Sequence, residues 1–470
     1  MKKVILMSNL PKKINYIKWF FIIAFLGIGI YLLVFNFFQA KYIYSNSYNK
    51  RLRIQNTDIV RGDILDRNDT VLASSKVKNG NSNRVYEFGR HFSHIIGYHS
   101  QQLGSTGIEA LYDKELTSSH IVNIIKSKIN NEPIKGNTVK LTLDKTIQVY
   151  ASELLGSKKG SLVALNPKTG EVLALVSKPD FNPSKINANW NSLIENENSP
   201  LLNRAIDGLY PPGSIFKIIT TSAALYGNYK DLVIDCTGSV NINGYEMKDS
   251  NNKGHGTINL DKAFTLSCNS YFVNLGLKLG SENMYNEAVK FKFNKKLSSY
   301  VLSKTSNFNK KDDEKSLAQQ SIGQGDVLIT PIHAASIAAI IANDGVLMPP
   351  YTLSEIIDMN GNSVKISKSI KGERIIDSDK AKVIKDMMSN VVKSGTGKRA
   401  KLSGIDVAGK TGTAENPHGK PHSWFIGFAP AEDPQIAIAV IIENGGSGGS
   451  NAAPIAGKVI KKALANMRKK

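Results

Sequence analysis

The stretch YPPGSIFKIIT, Tyr210–Thr220, sets Ser214 after two prolines and a glycine and ahead of an apolar run. Pro and Gly halt the preceding structure, so the serine is expected at or near a helix start. Lys217 follows three residues on, one turn later and on the same face. A serine hydroxyl is a weak nucleophile until a neighbouring base takes its proton. A lysine is such a base only where partial burial and the positive end of a helix favour its neutral amine. The spacing by itself has little specificity, because Ser47, Ser75 and Ser250 also carry a lysine at the third position on. The Pro-Pro-Gly entry and the apolar run set Ser214 apart.

Two further short patterns lie downstream. Ser267-Cys268-Asn269 falls between two helical stretches, where a tight link can aim side chains into a cleft. Its hydroxyl can relay a proton and its amide can hold a peptide group, although an ordinary Ser/Asn turn reads the same way in isolation. Lys410-Thr411-Gly412-Thr413 opens a strand, with the apolar SWFIGFAP after it. The lysine offers a point charge for a carboxylate, the glycine lets a ligand approach the backbone, and a strand edge can pair with an extended peptide. Lys168-Thr169-Gly170 has the same three letters but sits in a hairpin turn, where they are simply good turn chemistry.

Around these patterns the chain alternates in a readable way. Asp144 is a plausible N-cap for a helix through LTLDKTIQVYASELL. Ser161–Asn166 and Glu171–Ser177 are apolar strands joined by the turn at residues 167–170. Helical stretches are expected at Phe216–Tyr226, Leu260–Leu266, Tyr271–Leu279, Ile332–Ala342 and Ser378–Val392. Strands return at Ile405–Ala408, Gly412–Glu415, Ser423–Ala429 and Ile436–Ile442, and a last helix starts at about Pro454. A strand hairpin, then helices, then strands, then a helix predicts an α+β fold, one sheet covered by helices with a separate helical region. Ser303–Lys315 reads as a solvated loop.

Residues 39–140 form a smaller unit, with two short strands in RGDILDRNDTVLA (Arg61–Ala73), a turn and short helix within Gly97–Leu116, and a polar connector at Asn130–Gly136. It has too few apolar residues for a generous core and is expected to pack on the larger unit C-terminal to it. Ahead of it, Trp19–Phe38 is apolar but for Asn36, and twenty residues span about 30 Å, a bilayer core. Lys2, Lys3, Lys12, Lys13 and Lys18 precede or open this run, so the positive-inside rule expects residues 1–18 in the cytoplasm and the remainder outside. A cleaved signal peptide is the alternative; the run is longer than a signal's apolar stretch, and FFQAKYIYS offers no small-x-small cleavage site.

The net charge of +21 suggests polyanions nearby: nucleic acid, anionic lipid or acidic wall polymers. With no zinc spacing, no Walker loop and no basic stretch interleaved with aromatics, nucleic acid is disfavoured as a partner. Two cysteines, Cys236 and Cys268, exclude a disulfide-dense scaffold and a four-cysteine metal site. They are expected to be neighbours, able to pair outside the membrane, with two reduced and buried thiols as the favoured state.

Taken jointly, S-x-x-K, S-x-N and K-T-G stand in that order downstream of an apolar span, a trio shared by class A β-lactamases and penicillin-binding proteins. The chain resembles class B penicillin-binding proteins along nearly all its length. The resemblance runs through RGDILDRNDTVLA (with Asp69 where glycine is usual), LVALNPKTGEVLALVSKPDFNP, NRAIDGLYPPGSIFK, GHGTINLDKAF, IGQGDVLITPIHAA and AGKTGTAE with SWFIGFAP. It implies residues 1–18 as cytoplasmic tail, 19–38 as anchor, 39–140 as pedestal and 141–470 as a transpeptidase domain with a central antiparallel sheet and a helical subdomain. It also implies that Ser214 is acylated, that Lys217 is its base and that Ser267 and Asn269 assist. Lys410 and Thr411 would hold the substrate carboxylate, Gly412 would give the substrate room at the backbone, and the backbone N–H groups of Ser214 and Thr413 would form the oxyanion hole. The two lysines are expected to have separable jobs, Lys217 in proton transfer and Lys410 in binding. The expected activity is a peptidoglycan D,D-transpeptidase using no metal or cofactor, binding stem peptides and β-lactams, and working beside a glycosyltransferase and divisome or elongasome proteins. A D,D-carboxypeptidase, a β-lactamase or β-lactam sensor, and a scaffold with a degenerate site are the alternatives. The anchor, the pedestal and the intact motifs argue against them.

Overall fold

A computed structural model describes residues 10–35, 59–78, 81–118, 129, 133–250, 253–366, 370–417 and 419–468. Its centre is a five-stranded antiparallel sheet. The strands are β1 (Gly160–Leu165), β2 (Val172–Lys178), β3 (Ala408–Ala414), β4 (His422–Ala429) and β5 (Ile436–Ile442), in the order β2-β1-β5-β4-β3. The β1–β2 hairpin therefore pairs with β5, at the opposite end of the sheet from β3.

Every residue of β5 is buried, which is why IAIAVII carries no polar alternation. Successive side chains still point to opposite faces. Ile436, Ile438, Val440 and Ile442 pack with α1 (Lys145–Leu155) and α7 (Ala452–Met467). Ala437, Ala439 and Ile441 face the other core, which contains α5 (Pro331–Ala342), all twelve of whose residues are buried. Asp144 caps α1 as expected, accepting from the N–H groups of Thr146 (2.9 Å) and Ile147 (3.2 Å).

Between β2 and β3 runs the helical region: α2 (Lys217–Tyr226), α3 (Leu260–Leu266), α4 (Asn269–Lys290, broken at Gly280 where φ is 78°), α5 and α6 (Ser378–Lys393). The structure adds two small antiparallel ribbons that the sequence did not suggest. Val233–Cys236 pairs with Gly256–Asn259, and Ser239–Ile242 with Tyr245–Lys248.

Two expectations need correction. Ile405–Ala408 and Gly412–Glu415 are not separate strands: one strand, β3, runs Ala408–Ala414 straight through Lys410 and Thr411. Nor is Ser303–Lys315 wholly solvated. Phe308 is fully buried and stacks on Phe216, with ring centroids 5.4 Å apart, and Ser306 binds buried His333 at 2.7 Å.

The smaller unit is built on a second sheet. Its order is Ser363–Ile366, Leu353–Ile357, Thr138–Leu141, Ile64–Leu65, Val71–Lys78, Asn81–Tyr86. Two of its strands come from residues 353–366, so the sheet crosses the division expected at residue 140. At Asp69 the turn takes φ 62°, a left-handed conformation that asparagine and aspartate tolerate and glycine adopts freely. Arg61 is held by fully buried Glu109, its Nε 2.6 Å from Oε2, and Arg84 Nε reaches Oε1 of the same carboxylate at 2.7 Å. Arg84 also donates to the Gly62 carbonyl at 2.7 Å.

The first helix, Leu10–Val34, is long and apolar enough to cross a membrane, with its most apolar window at Ile14–Leu32. It begins before Trp19, so Lys12, Lys13 and Lys18 lie on the helix itself. Residues 36–38 of the expected span and 130–132 of the expected connector lie outside the described residues.

Removing one member of a buried ion network strands its partners and costs about 3–5 kcal/mol. Glu109→Ala is therefore expected to destabilise the smaller unit by about that amount, read as a lower midpoint in denaturant unfolding of the full chain. An unchanged midpoint would show that the two arginines find water instead.

Candidate active site

The Pro-Pro-Gly entry folds as a tight turn. Gly213–Phe216 form one 3-10 turn, and α2 starts at Lys217. Gly213 has φ 55°, and a Cβ on it would lie 3.0 Å from the Thr413 carbonyl oxygen and 3.1 Å from Ala414 Cα. A Cβ on Gly412 would in turn lie 3.0 Å from the Pro212 carbonyl oxygen. Strand β3 thus packs backbone to backbone on the turn carrying Ser214, and glycine at both positions permits it. The turn is held from behind: Gly213 N–H donates to the Gly323 carbonyl at 2.8 Å, and the Trp424 indole donates to the Pro211 carbonyl at 3.1 Å. Ser214 itself is half-buried.

Ser267 and Cys268 link α3 to α4. Ser267 ends α3 in the left-handed conformation (φ 60°, ψ 38°), and Cys268 Sγ caps α4 by accepting from Tyr271 N–H at 3.3 Å. This sharp reversal aims the Ser267 and Asn269 side chains and the Ser267 carbonyl at one point, the Lys217 amine. Lys217 Nζ donates to Ser267 O at 2.8 Å, to Asn269 Oδ1 at 2.7 Å and to Ser267 Oγ at 3.4 Å. Lys410 Nζ arrives from β3 and donates to the same Ser267 Oγ at 2.8 Å. Among the described residues no hydrogen bond joins the Lys217 amine to Ser214 Oγ.

Both lysines are fully buried. Burial brings the Lys217 amine down to about 8, against the pull of Cys268 and Asp249. Burial also pushes Lys410 well below its ordinary value, and the nearby charge of Lys217 adds to the effect. Each amine lies over an aromatic ring, Lys217 5.3 Å from the Phe272 centroid and Lys410 5.5 Å from that of Phe264. The arrangement can move protons between two amines through one hydroxyl, beside the Ser214 turn.

Comparisons with known proteins identify the family. Residues 160–461 match the penicillin-binding protein transpeptidase domain, and residues 61–139 match the penicillin-binding protein A dimerisation domain. The chain belongs to the penicillin-binding protein transpeptidase family. It is 32% identical to peptidoglycan D,D-transpeptidase PbpA of Mycolicibacterium smegmatis over 91% of this chain and 94% of that one. It is 31% identical to peptidoglycan D,D-transpeptidase MrdA of Acinetobacter baumannii over 78% of this chain and 64% of that one. Its fold is similar to that of penicillin-binding protein A from M. tuberculosis solved as an imipenem acyl-enzyme complex. The TM-score is 0.83 at 30% identity, covering 87% of this chain and all of that chain.

The structure brings Ser214, Lys217, Ser267, Asn269 and the Lys410–Thr413 strand to one place, while Lys168-Thr169-Gly170 stays in its turn, with Lys168 paired to Asp433. The lysines are less separate than the sequence suggested, because they meet on Ser267 Oγ. Several supporting residues escaped the sequence reading. Thr396 Oγ1 lies 2.5 Å from Thr411 Oγ1. Asp249 Oδ1 accepts from the backbone N–H groups of Asn269 and Ser270. Gly323 fits under Gly213, in the IGQGD stretch to which the sequence alone assigns no role.

Gly323 and its neighbour Gly325 separate close approach from backbone strain. Both have positive φ, 74° and 73°, but a Cβ on Gly323 would lie 2.3 Å from Gly213 O, whereas on Gly325 the nearest atom is Gln319 Oε1 at 3.4 Å. Gly325→Ala should cost only the left-handed penalty of about 1–2 kcal/mol. Gly323→Ala should cost more and displace the Ser214 turn, read by unfolding midpoints of the two variants. Equal costs would mean that the turn does not depend on this contact.

Proposed function

We propose that this chain is a peptidoglycan D,D-transpeptidase that works through an acyl-enzyme on Ser214. What carries the reading is the convergence of two buried lysine amines on the Ser267 hydroxyl, beside a serine on a tight turn against a strand edge. The names of its relatives and the β-lactam acyl-enzyme state of its structural neighbours support the same chemistry.

In the first step Ser214 Oγ attacks the D-Ala-D-Ala amide of a stem peptide and Lys217 takes its proton. The N–H groups of Ser214 and Thr413 receive the developing oxyanion, a stabilisation of about 3–4 kcal/mol per donor. The proton passes through Ser267 to the leaving D-Ala amine, and Asn269 holds the peptide and keeps Lys217 in place. In the second step an amine of a neighbouring stem takes the acyl group, its proton returning along the same path. Thr411, Gly412 and the charge of Lys410 bind the terminal carboxylate. β-Lactams share that carboxylate and would acylate the same serine. Residues 141–470 would be the catalytic domain and 39–140 a pedestal sharing its sheet with residues 353–366. The first helix would anchor the chain with its lysine-rich end inside, which sets the domain on the wall side beside a glycosyltransferase and division or elongation proteins.

Intact mass after penicillin treatment should show one adduct on the wild-type chain and none on Ser214→Ala; an adduct that survives the change refutes the assignment. Lys217→Ala should lower the maximal acylation rate about 10²–10⁴-fold with little change in affinity. Lys410→Ala should weaken affinity about ten- to a hundred-and-fifty-fold, for a charged hydrogen bond of about 1.5–3 kcal/mol, and should also lower the maximal rate, because it removes the donor that orients Ser267 Oγ. Loss of affinity alone would place Lys410 outside the proton path. Below its folded value of about 8, Lys217 is charged and cannot accept a proton, so the acylation rate should climb with pH and level off above about 8. A flat profile from pH 6 to 9 would mean that Lys217 is not the base.

A further inference from the structure

The proposed acyl transfer makes no use of an ionic cluster at the end of β5, behind the turn that carries Ser214. Glu443 follows the last residue of that strand, and its N–H donates to the Lys159 carbonyl at 2.8 Å, so the residue rides on the central sheet. Its Oε1 accepts from Arg204 Nε at 2.7 Å and from the Tyr210 hydroxyl at 2.7 Å, while Oε2 lies 3.3 Å from Lys159 Nζ. The remaining guanidinium nitrogens of Arg204 donate to the Ser199 and Asn198 carbonyls at 3.0 and 2.7 Å. Arg204 and Tyr210 are both buried. Burial pushes the Glu443 carboxyl up, but the Tyr210 and Arg204 bonds and the Lys159 charge outweigh it and hold it below its ordinary value, as an acceptor. Burial and the Glu443 charge push the Tyr210 phenol up, so its proton stays on oxygen and is donated.

Tyr210 stands four residues before Ser214. A phenylalanine ring would fill the same space and need no acceptor; the buried hydroxyl needs one, and takes a carboxylate, which makes the stronger kind of hydrogen bond. Its backbone is fixed separately, by N–H···O bonds exchanged with Ile329 at 3.0 and 2.8 Å. The Tyr210 ring then meets β4 edge-on, 5.7 Å from the His422 ring and 6.2 Å from the Trp424 ring. These two residues flank Ser423, the partner of Thr413 across the sheet, and Trp424 is the partner of Gly412. Trp424 also donates to the Pro211 carbonyl. One side chain therefore bears on the turn that ends in Ser214 and on the strand that backs Thr413.

We propose that Glu443 and Tyr210 are positioning residues, whose hydrogen bond sets the Ser214 turn against β4 and thereby the spacing between the Ser214 and Thr413 N–H groups that receive the oxyanion. Neither side chain touches the substrate. The inference rests on the reading of Ser214 as the acylated serine. Such donors act on the oxyanion of the transition state, so a change in their spacing should alter the rate of acylation and leave the affinity for the ground state alone.

The test is the rate of penicillin acylation against penicillin concentration, followed by intact mass on the full-length chain in detergent. Losing an oxyanion donor costs about 10²–10³-fold in rate. Tyr210→Phe should displace a donor without removing it, and so lower the maximal acylation rate about ten- to thirty-fold with affinity within about twofold of wild type. Glu443→Gln keeps an oxygen for the Tyr210 hydroxyl and should stay within about threefold of the wild-type rate, whereas Glu443→Ala should fall as far as Tyr210→Phe. Combining Tyr210→Phe with Glu443→Ala should cost no more than the slower single change, because both remove one interaction. Glu443→Ala also strands Arg204 and can fail to fold; Tyr210→Phe leaves the Arg204–Glu443 pair intact and is the deciding variant. A Tyr210→Phe chain that acylates at the wild-type rate would overturn the proposal. So would a loss confined to affinity, losses that multiply in the double variant, or a slower rate accounted for by the fraction of chain unfolded at the assay temperature. A wild type that takes no adduct would refute the reading of Ser214 and this inference together, whereas full adduct formation at an undiminished rate in Tyr210→Phe refutes this inference alone.

Discussion

Burying the Lys217 amine is the constraint on which the rest of the site depends. A lysine with no exposed surface loses its hydration, and the loss is tolerable only where fixed acceptors replace the water. Here the replacements are a carbonyl and a hydroxyl from Ser267 and an amide oxygen from Asn269. Groups from Ser267 and Asn269 converge on one atom only if the chain reverses sharply between them, which is why Ser267 adopts a left-handed conformation between two helices. Such a conformation costs a non-glycine residue about 1–2 kcal/mol and persists only where its surroundings enforce it. The Cys268 cap and the Asp249 carboxylate supply that enforcement from beneath. The ribbons that carry Asp249 thereby become part of the machinery, although they touch neither Ser214 nor Lys410 among the described contacts.

A second constraint is distance between backbones. The Ser214 turn and strand β3 approach closely enough that a Cβ at Gly213 or Gly412 would crowd carbonyl oxygens at 3.0 Å, and the chain behind the turn fits more tightly still through Gly323, where a Cβ would lie 2.3 Å from Gly213 O. The half-buried serine is thereby set against a strand edge whose position is dictated by a sheet buried on both faces. Since β4 and β5 are wholly buried, the sheet cannot shift register without turning apolar side chains toward the wrong core.

How much of this is legible depends on what each residue's letter can say. The apolar runs of β1, β2, β4 and β5 are strands by composition alone, and Ser214 stands out because proline and glycine mark its turn. Strand β3 reads as two pieces because Lys410 and Thr411 look like loop residues; their burial rests on partners, Ser267 and Thr396, that lie well over a hundred residues away in one case and fifteen in the other. The Ser303–Lys315 stretch misleads for the opposite reason, since its polar letters outnumber the single Phe308 that fixes it to Phe216. The role of Asp249 is invisible: an aspartate in a polar stretch reads as surface, and no local signal announces that it accepts from the N–H groups of Asn269 and Ser270. The division at residue 140 also reflects local composition, and no local signal announces that residues 353–366 return to complete the smaller unit's sheet.

The pairing of the two lysines comes from the same physics. Both amines are buried and both reach Ser267 Oγ; burial lowers the affinity of each for a proton, and at Lys410 the charge of Lys217 adds to the effect. Two full charges on either side of one hydroxyl are therefore disfavoured. In the proposed reaction a substrate carboxylate would arrive on the β3 side and favour a charged Lys410. A charged Lys410 in turn lowers the proton affinity of Lys217 and leaves its amine free to take the serine proton. Binding at one lysine would thus prepare the other as a base, so that the ligand whose carboxylate is held is also the ligand that finds an activated serine.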